Sequence, residues 1–325
     1  MRILSHALAL GLATTTASAQ TAQPQPPVFA AQVESVVIDA FVSGRRPDAP
    51  RLSARDFVLK DGGVSQPFDL IPTEELPIRA VLVFDTSGSM KGAKLDSLRA
   101  AAWSFLERLR PRDEVALIVF SDEIASLVPL TPDHSQTRGA LLRLRAGGGT
   151  SAHDALFAAL LLPGSAQRTL VILFSDGEDN SSWLGDKQIR SMVERSNALI
   201  HVVAASSAPT SGVPVSQSPD FTAALQAGDR ERARSGYTPR LGRPDPIHVR
   251  KLRELAETTG GSLVEVDSSA RLEAAFTQII EAMKGRYVLR YDPENPKPGW
   301  HKLELQIRSG SGKVRGRTGY WVEKR

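Results

Sequence analysis

The chain has 325 residues, long enough for one large domain and a smaller one, and its 41% hydrophobic and 23% charged side chains exclude global disorder. It contains no cysteine, which excludes a thiol enzyme and a zinc-cysteine module. The 40 Lys and Arg against 36 Asp and Glu leave a net charge of +4, spread along the chain without a nucleic-acid motif, so no nucleic-acid partner is expected.

The N-terminus carries Arg2, an apolar run from Ala7 to Ala13 and Ala17-Ser18-Ala19 ahead of Gln20. These are the three regions of an export signal in order, so residues 1–19 are expected to be cleaved after Ala19, giving a secreted or periplasmic protein. The apolar run is far short of the roughly 20 residues a bilayer-spanning helix needs, no later segment reaches that length, and the mature chain is expected to lack a transmembrane segment. Residues 20–29, with Pro24, Pro26 and Pro27, read as an extended linker. Residues 30–77 read as an N-terminal β segment. Val36, Ile38, Ala40 and Val42 alternate, and Asp61-Gly62-Gly63 between two apolar runs marks a hairpin turn.

From Ile78 to residue 285, strands alternate with helices. The expected strands are 79–84, 114–120, 124–130, 169–175, 198–204 and 262–266, and the expected helices 92–109, 133–145, 152–161, 186–196, 248–258 and 270–284. This is the pattern of an α/β fold, a doubly wound, mostly parallel six-stranded sheet. The runs Val81 to Phe84 and Leu170 to Phe174 do not alternate, as expected of strands buried on both faces. The stretch 124–130 follows a tight Ser121-Asp122-Glu123 turn and is expected as an antiparallel edge. Residues 205–246 form a long insertion whose Arg230, Arg232, Arg234, Arg240 and Arg243 could recognise an acidic partner; with Asp229, Glu231 and Asp245 interspersed it reads rather as a solvated, mobile loop. Residues 286–325 return to β character, with Tyr287 to Tyr291, alternating Leu303, Leu305 and Ile307, then Gly319 to Val322. Gly310-Ser311-Gly312-Lys313 reads as a turn between the last two strands. The two β segments, 30–77 and 286–325, are expected to pack as one small β-sandwich into which the α/β domain is inserted.

Three loops supply short oxygen side chains: Asp85-Thr86-Ser87-Gly88-Ser89 after the first buried strand, Gly147-Gly148-Gly149-Thr150 before a helix, and Ser175-Asp176-Gly177 after another buried strand. In an open parallel sheet such loops converge at the carboxyl ends of the central strands, where ligands bind. Two carboxylates and three hydroxyls make an oxygen-only set suited to a hard cation, magnesium first, with manganese able to substitute. With mainly neutral hydroxyls as ligands the ion would keep much of its charge and an open position, which an Asp or Glu carboxylate of a protein partner could fill.

The spacing Asp85-x-Ser87-x-Ser89, with Thr150 and with Asp176 in an Asp-Gly turn, resembles the metal-ion-dependent adhesion site of von Willebrand factor A and integrin I domains. The resemblance covers residues 78–285. It implies that Ser87 and Ser89 bind the metal directly, that Thr150 joins directly or through water, and that Asp85 and Asp176 act largely through water and hydrogen bonds. It also implies five parallel strands with one antiparallel edge. The flanking β segments resemble those of bacterial exported proteins with a related domain. The long 205–246 insertion departs from the family, so no regulatory behaviour of the last helix carries over.

With the export signal and the lack of catalytic residues, the resemblance points to an exported, divalent-cation-dependent protein-binding module that is not an enzyme. Two alternatives stay open: a hydrolase using the metal as Lewis acid, and a structural protein of envelope assembly that contacts partners through its β unit. The six histidines form no His-Glu-x-x-His pair, no Gly-x-Ser-x-Gly elbow occurs, and His153 near Thr150 has no nucleophile placed beside it. Asp154 and Glu178 lie close in sequence to the site, but a helix N-terminal acid and a solvent loop account for them.

Overall fold

The computed structural model describes residues 35–44, 50–73, 76–162, 168–176, 179–205, 246–294, 296–308 and 312–324. The chain divides into two units, Met1–Gln32 and Val33–Arg325, and every described residue belongs to the second. The expected export signal, the linker and nearly all of the 205–246 insertion lie outside the described residues.

The order of elements is β1 (Val36–Ser43), β2 (Phe57–Asp61), β3 (Val64–Gln66), β4 (Asp69–Ile71), β5 (Ile78–Asp85), α1 (Ala93–Glu107), β6 (Glu114–Phe120), β7 (Ile124–Thr131), α2 (His134–Leu142), α3 (Ala152–Leu160), β8 (Arg168–Ser175), α4 (Asp186–Arg195), β9 (Leu199–Ala205), α5 (Pro246–Thr258), β10 (Ser262–Val266), α6 (Ser269–Lys284), β11 (Tyr287–Tyr291), β12 (Gly299–Ile307), β13 (Lys313–Arg315) and β14 (Gly319–Val322). The central sheet runs β10-β9-β8-β5-β6-β7. All its pairings are parallel except β6 with β7. β7 is mostly exposed and carries Pro129, which lacks an N–H and is confined to edge strands or bulges.

The unbroken apolar runs of β5 and β8 follow from burial on both faces, because alternate side chains serve two cores. Ala80, Leu82 and Phe84 of β5, with Leu170, Ile172 and Phe174 of β8, face a core closed by α1, α2 and α6. Val81, Val83, Val171 and Leu173 face the opposite core, closed by α3, α4 and α5. On the first face Phe276 of α6 meets Phe84 and Phe105 edge-on, with ring centroids 5.9 and 6.2 Å apart. α6 starts at Ser268, whose hydroxyl accepts the Arg271 N–H, and ends at Gly285.

The β segments at the two ends of the chain pair with each other. β1 lies between β11 and β13 and pairs antiparallel with both, and β12 likewise with β2 and β14. The resulting four-stranded sheets, β13-β1-β11-β4 and β14-β12-β2-β3, share one apolar cluster that includes Ile38, Phe57, Leu59, Leu289 and Leu303. Gly62 and Gly63, at φ 55° and 88°, form the two-residue turn between β2 and β3, and Asp61 pairs with Val64. Such a turn needs positive φ at both positions, which glycine adopts without strain. One expectation is corrected here. The chain after β12 does not turn directly into the last strand, because Lys313–Arg315 forms a further strand that joins β1 in the other sheet. That short strand has one apolar residue, Val314, and offers no alternation to read; Gly310 and Ser311 of the expected turn are outside the described residues.

Buried polar contacts tie these sheets to the central one. Arg168, at the start of β8, donates through Nε and Nη2 to Asp39 Oδ1 of β1 at 3.0 and 2.8 Å. Arg286 donates to the carbonyls of Asp39 and Gly260 at 2.8 and 2.9 Å.

Candidate functional site

β5 and β8 are adjacent and parallel, so the residues at their carboxyl ends, Asp85 and Asp176, are brought to the same edge of the sheet. Asp85 is fully buried. Its Oδ1 accepts the Ser87 N–H at 2.8 Å and its Oδ2 accepts the Ser175 hydroxyl at 2.7 Å. These bonds turn the chain sharply after the strand and hold the Asp85 carboxylate beneath the loop. Burial pushes the Asp85 carboxyl up to about 6; the Asp176 charge adds to this, while the hydrogen bonds from Ser87 and Ser175 oppose it.

Above it runs a chain of oxygens. Ser87 Oγ lies 3.0 Å from Ser89 Oγ, and Ser89 Oγ donates to Asp176 Oδ1 at 2.7 Å. Asp176 Oδ2 in turn accepts Lys94 Nζ at 2.5 Å from the first turn of α1. Ser87, Asp176 and Thr150 are all buried.

Thr150 comes from the glycine loop, which the backbone clips onto the Asp85 loop. Gly147 N–H donates to Thr86 O at 2.8 Å and Gly88 N–H to Gly148 O at 3.0 Å, while Thr86 is bonded to Phe120 O of β6. Gly148 sits at φ 82°, and a Cβ on it would meet Asp122 Oδ2 at 2.5 Å. A Cβ on Gly149 would meet Asp122 Oδ1 and Ser181 Oγ, both at 2.4 Å. The glycines therefore let the loop approach Asp122, which accepts the Gly149 N–H at 2.6 Å. Thr150 is held from the other side by Asn180, whose Oδ1 accepts its N–H at 2.9 Å, and by the Asn180 and Ser181 N–H groups, both 3.0 Å from Thr150 O.

The structure thus places Asp85, Ser87, Ser89 and Asp176 in one hydrogen-bonded group and sets Thr150 on the loop clipped to it. These oxygens could take up a hard cation. Among the described residues no group of three or more His, Asp or Glu is placed to hold a metal ion. Gly177 and Glu178 lie outside the described residues. Asp154 is a loop clamp, accepting the N–H groups of Trp183 and Leu184 at 2.9 and 3.0 Å. His153 is buried, with Nδ1 3.2 Å from Leu184 O and 3.6 Å from Asp179 Oδ2. The sequence reading missed Lys94, Asp122 and Asn180. A lysine in a helix's first turn and polar residues in loops look like ordinary solvated positions, and only the folded loops reveal their partners.

Residues 80–178 match the family model for the von Willebrand factor type A domain, and the chain carries a domain of that family. The human inter-alpha-trypsin inhibitor heavy chain H4 is 33% identical over 132 residues, a match covering 36% of this chain and 14% of that one. The chain therefore spans a small part of that relative's length. Among solved structures, a von Willebrand factor type A protein from Catenulispora acidiphila aligns with TM-score 0.49 and 13% identity, covering 75% of this chain and 66% of that one. Proximal thread matrix protein 1 from the mussel byssus, solved with a zinc-occupied MIDAS motif, aligns with TM-score 0.48 and 14% identity over 68% of this chain and 48% of that one.

Proposed function

We propose that this chain is an exported, divalent-cation-dependent protein-binding module and not an enzyme. Asp85, Ser87, Ser89, Thr150 and Asp176 hold the cation, magnesium or in its place manganese, and a protein partner supplies an Asp or Glu carboxylate to it. The observation that carries this reading is the line of oxygens from Ser87 through Ser89 to Asp176, set over the fully buried Asp85 at the carboxyl ends of two adjacent parallel strands. The donor set is all oxygen, and the raised pKa of Asp85 marks a carboxylate whose charge the protein alone solvates poorly. Bound there, the ion supplies a residual positive charge for an external carboxylate. Ser87 and Ser89 contribute neutral ligands that preserve that charge, Asp85 and Asp176 orient them, and the glycine loop positions Thr150.

The domain arrangement belongs to the same proposal. Residues 78–285 form the von Willebrand factor A domain, inserted between β segments 30–77 and 286–325. Residues 1–19 direct export to a secreted or periplasmic location. No helix among the described residues is long and apolar enough to cross a membrane.

The test is calorimetric titration of magnesium, then manganese, into metal-stripped protein, beside the Ser87→Ala/Ser89→Ala double variant. Saturable binding by the wild type that the double variant loses while keeping its melting temperature in EDTA is the expected result. Equal binding by both proteins, or binding by neither, refutes the site.

A further inference from the structure

Lys94 is out of place by ordinary rules. It lies in the first turn of α1, where the helix dipole favours acids and opposes a cation. Its side chain is 35% exposed, so it is not buried for packing, yet its ammonium sits on the fully buried Asp176 carboxylate at 2.5 Å. Among the described residues it is the one cation in ion-pair contact with either site carboxylate. It adds to the group where Asp176 also accepts from Ser89, and beside the buried Asp85.

We propose that Lys94 is the site's tethered counter-cation. In the metal-free protein it balances the Asp85 and Asp176 pair and holds Asp176 on Ser89, and it leaves Asp176 for solvent when a divalent cation is taken up. Cation binding is then an exchange of charges at a preformed site. This inference rests on the metal-site reading above and assigns its regulation.

Two neighbouring buried carboxylates repel each other and are poorly solvated, so a cation on one of them supports the folded loop arrangement without metal. The same ammonium lies on the carboxylate whose other oxygen bonds Ser89, a proposed ligand of the ion, and like charges held close together in a partly buried site oppose each other strongly. The partial exposure of Lys94 gives its long stem a route outward, where the ammonium regains its hydration. Lys94 therefore stabilises the empty site and weakens cation affinity, two effects that a mere surface lysine would not produce together.

The experiment compares the full chain with Lys94→Met, which keeps the stem and removes the charge, and with Lys94→Gln, which can still donate to Asp176. Magnesium is titrated calorimetrically into each metal-stripped protein, and melting temperatures are taken in EDTA and in saturating magnesium. Both variants are expected to bind magnesium about tenfold or more tightly than wild type. Lys94→Met is expected to melt lower in EDTA and to gain more on adding magnesium. Wild-type binding that both variants leave unchanged or weaken overturns the exchange while keeping the metal site. Binding of neither magnesium nor manganese by any of the proteins overturns the metal site, and the exchange with it. Should Lys94→Met not fold, Lys94→Gln alone decides, by whether its affinity rises.

Discussion

Replacing Asp39 by Ala tests how firmly the end-of-chain sheets are fastened to the sheet that carries the site. Asp39 Oδ1 accepts two hydrogen bonds from Arg168, whose side chain is 2% exposed and whose other recorded partners are the carbonyl and sulfur of Met283. A second buried arginine, Arg286, bonds the Asp39 carbonyl. Burial pulls the Arg286 guanidinium down to about 10, with Arg168 adding to the depression and Asp39 opposing it. Removing the carboxylate therefore leaves Arg168 buried without its counter-charge, close to a second positive group. Breaking a buried pair from one side costs about 3–5 kcal/mol, against about 0–1 kcal/mol for a surface pair. With a urea m-value of about 3 kcal/mol/M for a chain of this size, the unfolding midpoint should fall by about 1 M or more. Urea denaturation followed by fluorescence and circular dichroism reads this directly. The companion variant Asp39→Ala/Arg168→Met, which removes both charges, should recover part of the loss, and a double-mutant cycle should give a coupling of about 1 kcal/mol or more. A loss below about 1 kcal/mol for Asp39→Ala would refute the reasoning, because the pair would then behave as a solvated one.

Gly261→Ala should destabilise the fold by about 3 kcal/mol or more, since its Cβ would fall 1.8 Å from the Ile200 carbonyl oxygen, a backbone atom that cannot turn aside; thermal unfolding checks this. His201 is buried, and burial, aided by the Arg286 and Arg315 charges, lowers its pKa to about 3. A folded pKa below the unfolded value of about 6.5 means its contribution is fully present above pH 6.5 and is lost as pH falls toward 3. Stability should therefore drop by about 2 kcal/mol between pH 6.5 and 5, and urea titrations of His201→Gln should show a smaller drop over that window. Trp183 is 95% exposed and its backbone is held by Asp154, so Trp183→Ala should change stability by less than about 0.5 kcal/mol in the same assay. A larger loss would show that the indole packs on the loop.

The elements that the sequence made legible are those whose pattern reports burial locally. The runs Val81 to Phe84 and Leu170 to Phe174 announce strands covered on both faces because every side chain in them is apolar, and the folded chain uses alternate residues in two cores. β7 is legible as an edge through its short length and tight turn from β6, and in the folded chain its side chains are mostly exposed. The positions of Asp85, Ser87, Ser89, Thr150 and Asp176 are likewise visible as short oxygen side chains just past strand ends or just before a helix.

What the sequence alone determined was therefore the class of each segment and the residue types offered at the sheet's carboxyl edge, since helix and strand periods and turn chemistry act over a few residues. Tertiary structure decided who meets whom. It ordered the strands as β10-β9-β8-β5-β6-β7, so that Asp85 and Asp176 became neighbours; it drew Lys313–Arg315 onto β1; it paired Arg168 with Asp39; and it laid Lys94 on Asp176. Such contacts join residues tens to hundreds of positions apart. A charged side chain's partner depends on which surfaces the closed core brings within a few ångströms, and no local pattern of a lysine or an aspartate carries that information.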